Sequence, residues 1–524
     1  MPSGDDNAIR DVVVVGGGTA GWLTAGLVAA EQVGRDPETR VSVTLVESPQ
    51  IATIGVGEGT WPTMRSTLER LGIPEALFLE RCTAAFKQGT RFVGWVDGSD
   101  GDTYYHPFTA PAGYPSVDLA SHWWRDRRNL SFVDAVSPQG MVCDRRLAPK
   151  QAHTPQYAGV VNYGYHLDAG RFAELLTEHC TRELDVRHVQ DRIIGVEADD
   201  GGDIAAVRTE ASGAIRGDLF VDCSGMRSML LAGHYGVGFV DRSGALFNDT
   251  ALAIQVPYAD ENAPVASQTI STAQSAGWIW DIGLPSRRGI GHVYSSRHCS
   301  DDEAHDALAR YLESTGAPPD PERSPRKISF KPGHREKFWH RNCVAVGMAA
   351  GFIEPLEASA LVMVELSARM IAEEMPAERG LMDIVARRFN ERFGYRWDRI
   401  IDFLKLHYLL SRRDDSDYWA ENRSPETVPD SLLELMALWR FRPPTPADLP
   451  RHDEIFSAAS YQYVLYGMGF EPDRMDPAGT GVAAERARRR FDDNIRAANQ
   501  LLARLPAHRD LLERIARDGL PAAG

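Results

Sequence analysis

The chain has 524 residues, of which 43% are hydrophobic and 25% charged, with a formal net charge of -16. That length supports a large core and two or three structural modules, while the excess of acid opposes binding to nucleic acid or to anionic lipid surfaces. No apolar run approaches the about 18 residues needed to cross a bilayer, and the first residues lack the basic-then-apolar pattern of a secretory signal, so a cytoplasmic protein that does not span a membrane is expected.

Val12 to Val15 form an apolar run, followed by Gly16-Gly17-Gly18-Thr19-Ala20-Gly21 and an alanine- and leucine-rich stretch through Ala30. This order predicts strand, glycine turn and helix. A second strand over Val41 to Val46 ends at Glu47. Gly16 permits a tight turn, Gly18 lets backbone approach a pyrophosphate beside Thr19 and Ala20, and Gly21 lets the helix pack on the sheet. Glu47 is placed to take a ribose hydroxyl, which completes a dinucleotide-binding fingerprint. Two later segments, Asp218 to Gly225 and Cys343 to Gly351 with Gly347 at the turn, read as strands ending in small residues. Such returns to the sheet favour FAD over NAD, and no second glycine fingerprint for NAD(P)H follows. Between them, Gly277-Trp278-Ile279-Trp280-Asp281-Ile282 places Trp278, Trp280 and Ile282 on one face of a strand. Alone this stripe is ordinary core; beside a flavin it is a wall that keeps an organic substrate from the ring.

From about Asp383 helical patterns dominate, as in Ile400 to Leu410 and Arg486 to Leu505. In the second of these Phe491, Ile495, Ala498 and Leu502 share a face. Arg488 to Arg490 read as a solvated face, and the proline-rich Arg442 to Pro450 as a surface linker. The six cysteines show no Cys-x-x-Cys spacing, so neither a metal site nor a disulfide framework is expected. The expected fold is α/β: a flavin-monooxygenase-like, Rossmann-type FAD-binding module over residues 9–382, interwoven with segments of a substrate module. A mainly helical C-terminal region over residues 383–524 is expected to cover the substrate pocket.

Several ordered blocks run over most of the chain: Gly16 to Ala25 with Gly21-Trp22, Ile54 to Pro62, Phe86-Lys87 through Trp95, Tyr104 to Phe108, the Trp278/Trp280/Ile282 element and Gly351 to Ala360. Together they resemble the tryptophan halogenase family of flavin-dependent halogenases. The resemblance implies that reduced FAD reacts with O2 to give a flavin hydroperoxide. Chloride or bromide attacks it, and hypohalous acid passes through a tunnel to an electron-rich aromatic compound, an indole or tryptophan-like molecule. Lys87 matches the family's essential lysine, which delivers the halogen by hydrogen bonding or as a haloamine; in an apolar pocket its pKa should fall. Glu357 matches the glutamate that stabilises the cationic ring intermediate and can accept its proton, with Glu354 as the competing carboxylate. The resemblance also implies a halide site at the backbone amides of Ser359 and Ala360. It implies a flavin-covering strap with Gly55, Val56, Gly57 and Glu58, and a substrate pocket with His106, Phe108, Tyr461 and Tyr463. His106, Phe108 and the tyrosines are equally readable as core, and Glu58 as a solvated loop charge.

The implied partners are a separate NAD(P)H-dependent flavin reductase and a small aromatic substrate, with a homodimer allowed. Two departures stand out. Glu357-Ala358-Ser359-Ala360 replaces the commoner Glu-Ser-Thr-Gly, and Gly283 replaces the proline usual after the isoleucine, which points to an altered exit and a substrate other than tryptophan. The competing readings are an aromatic hydroxylase and, more remotely, an FAD-stabilised binding protein.

Overall fold

In the computed structural model, which describes residues 7–36, 39–50, 57–125, 130–316, 324–475 and 481–522, the first strand Asp11–Val15 is apolar after its first residue and lies inside a parallel sheet. It pairs with Ser42–Glu47 on one side and Leu219–Asp222 on the other, and Cys343–Ala345 lies beyond the latter. A strand buried on both faces needs no alternation, which is why these segments are nearly continuous Val, Leu and Phe. The two late returns expected from the sequence thus sit with the first two strands in one six-stranded sheet. Helix Thr19–Ala30 follows the glycine turn, and Gly21 is what lets it dock: a Cβ there would lie 1.8 Å from the Gly16 carbonyl oxygen.

A second, seven-stranded sheet carries the aromatic segment, strand Gly277–Gly283, between Thr269–Gln274 and Arg287–Tyr294. Trp280 stands opposite Gly291, and a Cβ on Gly291 would meet the Trp280 ring at 2.2 Å. The indole therefore lies flat over the glycine, a cross-strand packing that fixes its orientation. At the far side of this sheet Gly89–Val93 pairs with Thr103–Pro107, setting Thr90 beside His106. Immediately before it, the short strand Ala85–Lys87 joins Gly164–Asp168 and Gly57–Gly59 in a three-stranded sheet, with Lys87 opposite Gly164.

Helix Ser359–Glu373 packs along Thr19–Ala30, and the 29-residue helix Met382–Leu410 opens the helical C-terminal part. Among the described residues no helix is long and apolar enough to cross a membrane. Two details differ from the sequence reading. In helix Val482–Arg504 the buried stripe is Ala487, Asn494 and Ala498 with Phe491 half-buried, while Ile495 is exposed. Asn494 takes the inner position because its amide donates to the Asp134 carbonyl at 2.9 Å. The Arg442 to Pro450 segment is more than a surface linker, since Pro443, Pro444 and Leu449 are buried and Pro444 accepts a hydrogen bond from Gln462 at 2.8 Å.

Candidate active site

A cavity of about 1070 Å³ begins at the glycine turn and runs past the aromatic strand. Gly16, Gly18, Thr19, Ala20 and Glu47 line its first part, joined by Gly347 from the last strand's turn and by Gly57 and Glu58. These residues fit a dinucleotide. Gly16 and Gly347 adopt φ of 112° and 66°, and a Cβ on Gly18 would meet nothing within 4 Å, so backbone there is bare toward the cavity. Glu47 is held by His188, whose Nε2 donates at 2.6 Å. Glu58 is half-buried on strand Gly57–Gly59 rather than a solvated loop charge, and burial pushes its pKa up to about 7. Gly55 and Val56 lie outside the described residues.

Trp278, Trp280 and Ile282 all face this cavity, as their alternation requires. Trp278 is anchored from behind by Glu354, the second carboxylate. Glu354 Oε2 accepts from Trp278 Nε1 at 2.7 Å, Tyr408 OH at 2.6 Å and Asn248 Nδ2 at 2.7 Å. Burial raises the Glu354 pKa, those three donors partly opposing it. Replacing it with leucine strands three buried donors, so Glu354→Leu should lower unfolding free energy in urea by roughly 3 kcal/mol or more. Glu354→Gln, which keeps an acceptor, should stay folded but release more hydrogen peroxide per O2 consumed as Trp278 loosens.

The same cavity is lined by Lys87 and Glu357. Lys87 is 1% exposed, and desolvation lowers its pKa to about 8 despite the pull of Glu357. Its Nζ stands 5.3 Å over the Phe108 ring, and a Cβ on Gly59 would come within 3.0 Å of it, so glycine there leaves the amine room. Glu357 is 5% exposed; burial alone would raise its pKa, but His106, His407 and Lys87 bring it below the usual carboxylate value. His106 Nδ1 donates to Glu357 Oε1 at 2.7 Å, and His407 Nε2 lies 3.6 Å from the same oxygen. Burial holds the His407 pKa at about 3, and Tyr104 OH sits 2.5 Å from its Nδ1, which leaves the Nε2 proton facing Glu357. Trp61 Nε1 donates to the Glu357 carbonyl at 2.9 Å. Glu357 and Ala358 have φ of 66° and 54°, both left-handed, so two strained residues turn the carboxylate into the site just before helix Ser359–Glu373 starts. Ser359 and Ala360 line the cavity at that start, with no side-chain cap over the amides.

The remaining expected pocket residues separate. His106 and Phe108 stand against Glu357 and Lys87 without lining the cavity themselves, and Phe403, Phe456 and Trp61 gather beside them: Phe403 stacks on Phe456 at 3.7 Å and Phe456 lies 5.0 Å from Trp61. Tyr463 is 6.3 Å from His106 and donates to the Thr109 carbonyl at 2.9 Å. Tyr461 is fully buried behind Phe403, between it and Trp439, away from His106. Gly283 is not at the exit toward Glu357. An odd position on a strand whose even positions face the cavity points it to the opposite side of the sheet, against Tyr258 and Val265. Sequence reasoning missed Trp61, Tyr104, Phe403 and His407. The last two are four residues apart on one helix and share its inner face, but a histidine in an apolar helix gives no sign of a carboxylate 50 positions earlier.

A family model described as tryptophan halogenase matches residues 11–484. A tryptophan 6-halogenase from Streptomyces albogriseolus is 32% identical over 540 residues, covering 97% of this chain and 99% of its own. The crystal structure of a tryptophan halogenase from Shewanella frigidimarina is 46% identical and superposes with a TM-score of 0.95 over 98% of this chain and 99% of its own. BrvH, a flavin-dependent halogenase from Brevundimonas, is 33% identical with a TM-score of 0.85 over 97% of this chain and 100% of its own.

Proposed function

We propose, from the premise that the chain belongs to the tryptophan halogenase family and is a flavin-dependent halogenase, that it halogenates an electron-rich aromatic compound, an indole or tryptophan-like molecule, at the Lys87/Glu357 end of its cavity, using FADH2 from a separate flavin reductase. Membership of the family sets the hydroxylase reading aside. The observation that carries the proposal is a single cavity lined by the glycine cradle, the tryptophan wall and two buried ionisable side chains, Lys87 and Glu357.

With reduced FAD, O2 and chloride or bromide, the chemistry supplied at the cradle end is hypohalous acid. Trp278, Trp280 and Ile282 exclude an aromatic substrate from that end while leaving room for a small oxidant. The Lys87 amine, pushed toward neutrality by burial, holds the hypohalous acid by an N-H hydrogen bond or takes its halogen with loss of water, and in either case fixes the electrophile in place. Attack by the indole ring leaves a cation next to the Glu357 carboxylate, which His106 and His407 keep ionised; the ring proton passes to that carboxylate and aromaticity returns. The amides of Ser359 and Ala360 suit a halide, since free N-H groups at a helix start attract an anion. Trp61, Phe108, Phe403 and Phe456 pack on one another next to Lys87 and Glu357, behind the lining of the cavity, and supply an apolar backing for a flat ring held there.

Incubation with FAD, a flavin reductase, NADH and mixed chloride and bromide over a panel of indoles, read by mass spectrometry, tests this. At least one indole of the panel should gain chlorine or bromine, with the product mass following the halide supplied. Hydroxylated product without halogen, formed equally well when halide is left out, would refute the reading.

A further inference from the structure

The seven-stranded sheet has a cavity on each face. Trp278, Trp280 and Ile282 face the first; Asp281 and Gly283, their odd-numbered neighbours, face a second of about 500 Å³ on the opposite side. Its polar groups are unevenly satisfied. Asp281 is neutralised in place, accepting from Arg288 Nε at 3.0 Å and from Tyr311 OH at 3.0 Å. Gln268 is 4% exposed and lines the cavity, yet its Oε1 is buried without a hydrogen-bond partner. Arg91 is half-buried against the Tyr105 ring, with its Nε also buried and unpartnered. Arg146 stands exposed on the lining, on a left-handed backbone with φ of 52°. Neither of these guanidiniums forms an ion pair among the described residues.

Two free cations and one unmet carboxamide in a single concavity describe the complement of a ligand. Two carboxylates also line it: Asp144, which accepts from Tyr105 OH, and Asp260, which accepts from the Asn262 amide at 2.9 Å. With Arg288 and Asp281 cancelling, the lining offers both signs and favours neither. An inorganic anion would meet Asp144 and Asp260 as repulsion, and a cation would leave Arg91 and Arg146 unmatched.

We propose that this cavity binds a small zwitterion, a free α-amino acid, with its carboxylate between Arg91 and Arg146, its ammonium toward Asp144 and Asp260, and Gln268 supplying the hydrogen bond that fixes its orientation. The apolar contribution of Ile270 and Pro264 makes room for a side chain beyond the two charged groups. The site lies across the sheet from Lys87 and Glu357 and is separate from the halogenation cavity.

Titration calorimetry on the full chain with L-leucine as probe tests the assignment, with 4-methylpentanoate (no ammonium), 3-methylbutylamine (no carboxylate) and inorganic phosphate as comparisons. Leucine should bind saturably and at least tenfold more tightly than each of the other three. Arg146→Gln, at an exposed position, and Gln268→Leu should each weaken it at least tenfold. If Gln268→Leu fails to fold, Arg146→Gln alone decides. No saturable leucine binding, equal binding of the carboxylate, amine or phosphate, or leucine binding unchanged in Arg146→Gln would overturn the proposal.

Discussion

Lys87→Met should abolish halogenation, by a factor of at least about a thousand in product formed per minute, while FADH2 oxidation by O2 continues at the wild-type rate. The methionine keeps the length of the side chain over Phe108 and removes the one nitrogen that can hold or carry the halogen. The same change should stabilise the fold. A lysine whose pKa falls from 10.5 in the unfolded chain to about 8 when buried binds fewer protons folded than unfolded between those values, so it costs stability below pH 8, and the cost disappears as pH rises toward 10.5. By that linkage Lys87→Met gains about 3 kcal/mol at pH 7, and the gain shrinks through the window from pH 8 to 10.5. Chemical denaturation of both proteins across pH 7 to 10 measures it as a difference, which is needed because the buried Lys405, lowered to about 7, contributes its own slope. The pH profile of the wild-type enzyme then separates the two roles of the amine. A rate that climbs to a plateau above pH 8 marks the neutral amine as the acting form; one that falls above pH 8 marks the ammonium as a hydrogen-bond donor.

How much of this was legible from the residues follows from the range of each interaction. The glycine turn, its helix and Glu47 are local signals, and their places in the sheet came out as their order in the chain predicted. The Trp278/Trp280/Ile282 face is equally local, because strand alternation alone assigns it. Gly283 shows where the same logic was not carried far enough: the alternation that brings Ile282 to the cavity sends its neighbour to the other side of the sheet. Lys87 and Glu357 lie 270 positions apart, and only likeness to a family could pair them. The surroundings of Glu357 were out of reach for the same reason. His106, Trp61 and His407 come from three segments, none with a periodic or spacing pattern that ties it to a carboxylate. Asn494 on its helix face is another instance, a polar residue made inner by one hydrogen bond that hydrophobic patterning cannot anticipate.

Glu357→Gln should reduce halogenation by about a hundredfold to a thousandfold, while hypohalous acid remains trappable in solution by a small thiol or amine. The amide preserves shape and an acceptor for His106 but carries no charge to stabilise the ring cation and cannot take its proton. The electrostatics add a second consequence. Glu357 is the one group that raises the Lys87 pKa, so its removal lets desolvation act unopposed and the amine's pKa should fall below about 8. The wild-type carboxylate, with its pKa below the ordinary value, contributes stability above its unfolded pKa that is lost as pH falls through the lowered one. The Gln variant should therefore lack that acid-side loss. Because the two residues act in successive steps on one substrate, the double variant Lys87→Met/Glu357→Gln should be no slower than Lys87→Met alone: without halogen delivered at the amine there is no ring cation for the carboxylate to serve. Multiplying losses in the double variant would show that each residue acts on halogenation independently, and would separate the carboxylate from the delivery step that the shared cavity implies.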